Sequence, residues 1–251
     1  MQRGITVRRG PRLGLGVAVA LGGMLGGCVA DSDDGGLMVM KNVAADDMCM
    51  VSPAETEKFI SHGSLDLLLP SGYLFIAQMK SRITALDGQE DQRTIIVSHA
   101  KVDITFPNSQ LFSDSELADL RTTGLTHFKQ LFTAAVRPNG GLTDVGFELI
   151  PIELALKIAT KTDPGKFFRV EALATFTIEG DMSGEMVSSQ VFAYPVTIGN
   201  QVMVSIPGTC PLPHDFGMPR TGYACNAAQD GVIDCCMNGN VLRCPANVAT
   251  M

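Results

Sequence analysis

From residue 64 onward the chain is dominated by segments in which apolar and polar positions alternate. In "YLFIAQMKSRI" (73–83), Tyr73, Phe75, Ala77, Met79 and Ser81 fall on one side and Leu74, Ile76, Gln78 and Lys80 on the other. A period of two is that of a half-buried strand. "RTIIVSHAKVDITF" (93–106) repeats it, predicting Ile96, Ser98, Ala100, Val102, Ile104 and Phe106 inward and His99, Lys101, Asp103 and Thr105 outward. Pro107-Asn108 ends that strand. In 125–136, Phe128, Phe132, Ala134 and Val136 share a face; Arg137-Pro138-Asn139-Gly140-Gly141 then turns the chain into a return strand over 142–152. Segments 167–180 and 184–199 flank Asp181-Met182-Ser183 with Gly180 and Gly184 beside it, the pattern of a hairpin, and 201–207 makes a last strand.

Two short helices interrupt the strands. Ser113-Asp114-Ser115-Glu116 forms a capping-box sequence with Gly124 placed to end the helix, and "IELALKIATK" (152–161) forms the second. Seven strands separated by turn signals predict an all-β, antiparallel β-sandwich rather than a parallel α/β sheet. Over 64–207 the pattern resembles the immunoglobulin-like sandwiches of many envelope proteins. That resemblance implies a fold and no activity.

The stretch 208–251 is different in kind, with five of the seven cysteines, four prolines and few apolar residues. A module this small needs bridges to hold it. Besides Cys28, the cysteines are Cys49, Cys210, Cys225, Cys235, Cys236 and Cys244. In an oxidising compartment an even set reads as disulfides. Five in the tail is odd, so full pairing requires Cys49 to join them. The expected pattern is Cys49 to Cys210, with the other four bridged among themselves. Cys235 and Cys236 are adjacent, and a bridge between them would distort the intervening peptide. The competing zinc reading wants close C-x₂₋₄-C pairs, which these gaps do not supply.

The first 27 residues read as a secretory signal. Arg3, Arg8, Arg9 and Arg12 precede a 13-residue apolar run, Leu13 to Leu25. That run is too short for a lasting membrane span, which needs roughly 20 residues. Leu25-Gly26-Gly27-Cys28 resembles the lipobox of bacterial lipoproteins. The resemblance implies that Cys28 receives a diacylglycerol, becomes the first mature residue and is acylated again at its amino end. Two or three acyl chains then anchor the protein essentially permanently, at about 0.8 kcal/mol per buried CH₂. Val29 at the second mature position implies, by the sorting rule of that class, the outer membrane rather than the inner where a cell has one. "ADSDDGG" (30–36) reads as a solvated tether; Asp31-x-Asp33-Asp34-Gly35 lacks the later glutamate of a calcium loop. The expected organisation is signal 1–27, lipidated N-terminus and entry segment 28–63, sandwich 64–207 and cysteine-rich module 208–251.

Residues 1–27 hold four of the 19 Lys+Arg and none of the 26 Asp+Glu, so the chain from Cys28 carries a formal net charge of −11. Such a surface repels phosphate backbones and argues against a nucleic-acid partner. No nucleophile-elbow, zincin or phosphate-loop motif occurs. His99 and His127 fall on the polar sides of strands and read as solvated residues, and His62 and His214 fall in loops. Glu90/Asp91 and Asp46/Asp47 read as solvating pairs. With no Trp and only Tyr73, Tyr194 and Tyr223, flat platforms for sugars are scarce. Met48-Cys49-Met50 is the one local cluster of soft donors. No catalytic residue, cofactor or metal site is predicted. The expectation is a lipid-anchored envelope protein that binds or supports an unidentified envelope protein or small ligand. Its alternatives are an envelope hydrolase with a loop-built site and a metal-binding module in the tail.

Overall fold

The computed structural model describes residues 36–51, 58–88, 90–107, 110–163, 165–211 and 217–245. The chain divides into Met1–Ala30, outside the described residues, and one compact unit, Asp31–Met251. Cys28, His214 and the acidic residues 31–35 also lie outside them.

Mostly β structure results, as the alternation predicts. A first sheet has the order β2-β1-β4-β7, built from β1 (Leu37–Val43), β2 (Phe59–Ile60), β4 (Tyr73–Ser81) and β7 (Leu142–Ile150). A second has the order β3-β10-β8-β5-β6, from β3 (Gly63–Asp66), β5 (Ile95–Thr105), β6 (His127–Val136), β8 (Phe168–Met182) and β10 (Phe192–Asn200), with β9 (Glu185–Ser188) also on β8. The inward rows share one core: Phe75 of β4 meets Phe147 of β7 and, across the gap, Phe176 of β8 and Tyr194 of β10, at 4.9 to 5.6 Å between ring centroids. Tilted and edge-on rings at these distances add to the burial of their area. Helix α1 (Asp114–Thr122) starts on the predicted capping box, Ser113 and Glu116 each bonding the other's backbone N–H, and Gly124 follows it with φ +77°. Helix α2 (Ile152–Ala159) buries Leu154, Ala155 and Ile158 in the same core. The β8–β9 turn puts Ser183 and Gly184 at φ +54° and +89°, the left-handed pair that a tight hairpin needs.

Three features differ from expectation. The sheets are not wholly antiparallel: β3 runs parallel to β10, and β11 (Val204–Thr209) parallel to β12 (Ile233–Asn238). In both cases the partners are brought together by distant chain rather than a hairpin turn, which local patterning does not encode. Secondly, β5 carries a bulge between Val97 and His99. An extra residue flips the alternation, so Ile95 and Val97 are buried and Ile96 stands 45% exposed, while Ala100, Val102 and Ile104 stay inward. Thirdly, β1 lies within the entry segment 28–63, and its Leu37, Val39 and Val43 are buried.

The tail forms a third sheet, β11-β12-β13, with β13 at Val241–Arg243. All six cysteines among the described residues are paired, and Cys49 does join the tail, but to Cys225 rather than Cys210. Cys210 follows β11, and its N–H bonds Met237 of the neighbouring β12, which brings it to Cys236. Cys235, on the other face of β12, is fully buried and pairs with Cys244. Alternation along one strand thus sends adjacent cysteines to different partners. Tyr223 accepts the Ala45 N–H at 2.6 Å and draws Cys225 to the Cys49 loop.

Intact mass under non-reducing conditions is expected to fall six hydrogens below the value with these six thiols free. Removing Cys49–Cys225, which spans 176 residues, is expected to cost about 5 kcal/mol on the chain-entropy estimate, against roughly 3 kcal/mol for Cys210–Cys236, which spans 26. Urea melts of the paired Cys→Ser variants measure both; equal losses would contradict the assignment of Cys49–Cys225 as the long-range closure.

Candidate functional site

Two arrangements gather polar groups, one inside the molecule and one on its surface. Inside, the loop Asn226–Asp230 inserts between the sheets. Ala228 enters the core. Gln229 pairs with β4 as a strand residue would, its Oε1 accepting the Leu74 N–H at 2.8 Å and its Nε2 donating to the Leu74 carbonyl at 3.0 Å. Asp230 accepts the Ser64 N–H at 2.8 Å and the Tyr73 hydroxyl at 2.6 Å. Asn42 donates to the hydroxyls of both Tyr73 and Tyr194 and accepts the Ile76 N–H. Burial pushes the Asp230 carboxyl up to about 6 against the hydrogen bonds that favour its charge. It also lifts Tyr194 to about 12 and Tyr73 further still. With every one of these polar groups engaged, the network is built to hold rather than to react. A cavity of about 380 Å³ at the seam between β1 and β10 has Asn42 and Tyr194 in its lining, already committed to this lock.

On the surface, the outward row of β8 carries Arg169, Glu171, Leu173, Thr175, Thr177 and Glu179. Each described histidine meets a carboxylate on this sheet: His62 Nε2 lies 3.5 Å from Glu171, His99 Nε2 3.0 Å from Glu179 and His127 Nδ1 2.8 Å from Asp103. His127 is half-exposed, in keeping with the solvated reading, whereas His99 is 13% exposed in its side chain; cross-strand pairing supplies both with partners that one strand's pattern cannot name. The β5 bulge turns Ser98 outward, where its hydroxyl is 2.9 Å from His99 Nδ1. Lys101, bonded to the other oxygen of Glu179, holds that carboxyl below its ordinary range.

At the far end of the same row, an open cavity of about 740 Å³ lies between Pro107, Gln110 and Leu111, strand β8 and Pro195 of β10. Its lining includes Arg169 and Glu171 with the apolar Leu111, Phe168, Leu173 and Pro195. Thr197 donates to Glu171 Oε1 at 2.8 Å and stands 2.7 Å from His62 Nε2, fixing the carboxylate from beside it. Arg169 Nε approaches Glu171 at 3.8 Å. Neither Ser98 nor His99 is in the lining of this cavity or of the seam.

The cysteine candidates are structural: a zinc or soft-metal site in the tail needs thiolates, and all six sulfurs are in disulfides. Met48 and Met50 are exposed around Cys49, where Asp46 accepts both their N–H groups. Among the described residues, no three His, Cys, Asp or Glu side chains converge as metal ligands. Arg169, Glu171, Thr197, Glu179 and Asp230 were not singled out by sequence; only the outward position of the β8 residues in the alternation carried a signal.

Asp230 generates a pH dependence with a definite sign. Its carboxyl holds a proton more tightly folded (about 6) than unfolded (3.8), so its contribution to stability is greatest below about 4. It falls as pH rises to 6, by about 3 kcal/mol, and is flat above. Asp230→Asn is expected to flatten that slope in thermal melts from pH 4 to 7, whereas Asp230→Ala is expected to cost about 2–3 kcal/mol by orphaning the Ser64 and Tyr73 donors. An unchanged slope in Asp230→Asn would remove Asp230 as its source.

No protein-family model matches the chain, and the search of curated proteins also returned no match.

Proposed function

We propose that the protein is a lipid-anchored component of the bacterial cell envelope, held through Cys28 at the outer membrane, that binds a ligand without transforming it. On this reading the two facing sheets are an immunoglobulin-like sandwich used as a rigid frame, and residues 30–36 are the tether. The observation that carries the binding role is the 740 Å³ cavity set on paired strands β8 and β10, with a fixed carboxylate and a guanidinium among apolar walls. Its volume falls within the roughly 300–1,000 Å³ of ligand sites, and apolar walls with a few placed polar groups are their usual composition. Chain entry supports the tether. Leu37 pairs with Ser81 at one end of the first sheet, while the tail is fastened to Ser64, Tyr73 and Leu74 at the other. Attachment at Gly36 thus leaves the locked end and the sheet faces clear.

Ser98, His99 and Glu179 favour a second reading, an envelope hydrolase. Their hydrogen-bonded chain has the residue types of a nucleophile, a base and its orienting acid. Its position on an open sheet face, away from both cavities, gives a substrate little to bind.

Cys28→Ser is expected to abolish incorporation of a palmitate label and leave the protein unprocessed. A product still processed to full mature size and still fractionating with membranes would overturn the anchor. A fluorophosphonate probe is expected to leave Ser98 unmodified; stoichiometric labelling lost in Ser98→Ala would establish the hydrolase instead.

A further inference from the structure

We propose that the cavity beside Arg169 and Glu171 takes a zwitterion, an amino acid or short peptide whose carboxylate meets Arg169, whose ammonium meets Glu171 and whose apolar side chain lies against Leu111, Leu173 and Pro195. This rests on the binding role proposed above and names the ligand class of that site.

The two residues stand two apart on the outward row of one strand, with Cα atoms about 6.5 Å apart, and their charged ends converge. Opposite charges this close can engage the carboxylate and the ammonium of one small molecule together. They meet each other only through Nε, at 3.8 Å, with Arg169 61% and Glu171 41% exposed in their side chains. An exposed pair at that distance contributes little to stability, so a ligand loses little by parting it. Among the described residues, Arg169 has no carboxylate closer than this one, which leaves the planar fork of its terminal nitrogens for a two-point contact with a ligand carboxylate.

Glu171 is held differently. The Thr197 hydroxyl donates to Oε1, and His62 lies 3.5 Å from Oε2. The carboxylate is therefore set in place before a ligand arrives, which reduces the ordering cost of binding. A ligand of one sign alone would satisfy one of the two groups and face like charge at the other. The surrounding surface is apolar, from Leu111 on the loop, Leu173 on β8 and Pro195 on β10. An uncharged apolar ligand would take water from the Arg169 terminal nitrogens and from Glu171 and offer no hydrogen bond in return, which is costly.

The test is calorimetric titration of the full-length protein in detergent micelles with leucyl-leucine, its N-acetyl derivative, its C-terminal amide, and free leucine. The dipeptide is expected to bind saturably, with each blocked form weaker by roughly 10- to 100-fold, the size of a lost charged hydrogen bond. Free leucine binding as well as the dipeptide would assign the site to single amino acids; weaker binding would assign it to peptides. Arg169→Ala is expected to bring the dipeptide down to the affinity of the amide and to leave the amide unchanged. Glu171→Gln is expected to do the same with respect to the acetylated form. Blocked forms that bind as well as the parent, or no saturable heat with any probe, would overturn the zwitterion site. Such a result with Cys28→Ser still losing its label would leave the anchor standing, so the two failures are distinguishable.

Discussion

One carboxyl group ties this fold together. Asp230 accepts a backbone N–H from β3 of the second sheet and a hydroxyl from Tyr73 on β4 of the first. Tyr73 passes the connection to Tyr194 on β10 and Asn42 on β1. Four strands in two layers are thus referred to a single residue of the tail. Its backbone has φ +52°, a conformation that a non-glycine residue keeps only when its surroundings impose it. Gln229 and Ala228 beside it supply that imposition, one by replacing a missing strand neighbour for Leu74 and the other by entering the core. Proline- and glycine-rich chain with few apolar groups is therefore organised by polar contacts with the two large sheets. Its own small cluster, Val204, Ile233 and Cys235, is secondary.

What sequence conveyed was local. Period-two runs located β6, β7 and β8 because each has one face in the core and one outward; β4 shows the same period although Ile76 and Gln78 on its second row are buried as well. Ser113, Glu116 and Gly124 marked α1 because capping is settled within a few residues. The bulge at Ser98 escaped because it is decided by how β5 meets β6 and β8, not by β5 alone; the alternation around Ile95 and Ile96 reads equally well in either phase. The parallel β3–β10 pair escaped for the same reason: Gly63 and Val196 are joined by no turn whose residues could announce them. Cysteine parity called for Cys49 in the tail's bridging, yet choosing Cys225 required knowing that Tyr223 reaches Ala45. The candidate site was least legible. Arg169 and Glu171 look, in one dimension, like any charges on the solvent side of a strand.

The second sheet divides its labour by face. Inward it presents Ala172, Ala174, Phe176 and Ile178 from β8; outward it presents acids set against His62, His99 and His127. A paired sheet offers unusually firm support for such side chains, since a strand with neighbours on both sides cannot shift one residue without flipping its whole buried row. Any chemistry on that face inherits its geometry from the core behind it. This is a different arrangement from sites held on loops, and it fits recognition by fixed groups better than closure around a substrate.

The long-range partnerships also set an order in time. Ribosomes make Ser64, Tyr73 and Cys49 well over a hundred residues before Asp230 and Cys225 exist. Until then Leu74 lacks its surrogate neighbour and the Cys49 thiol waits unmatched. Completion from the far end makes the molecule self-proofreading: a chain truncated anywhere before residue 225 leaves Cys49 without its partner and Leu74 without Gln229, and so displays its own incompleteness.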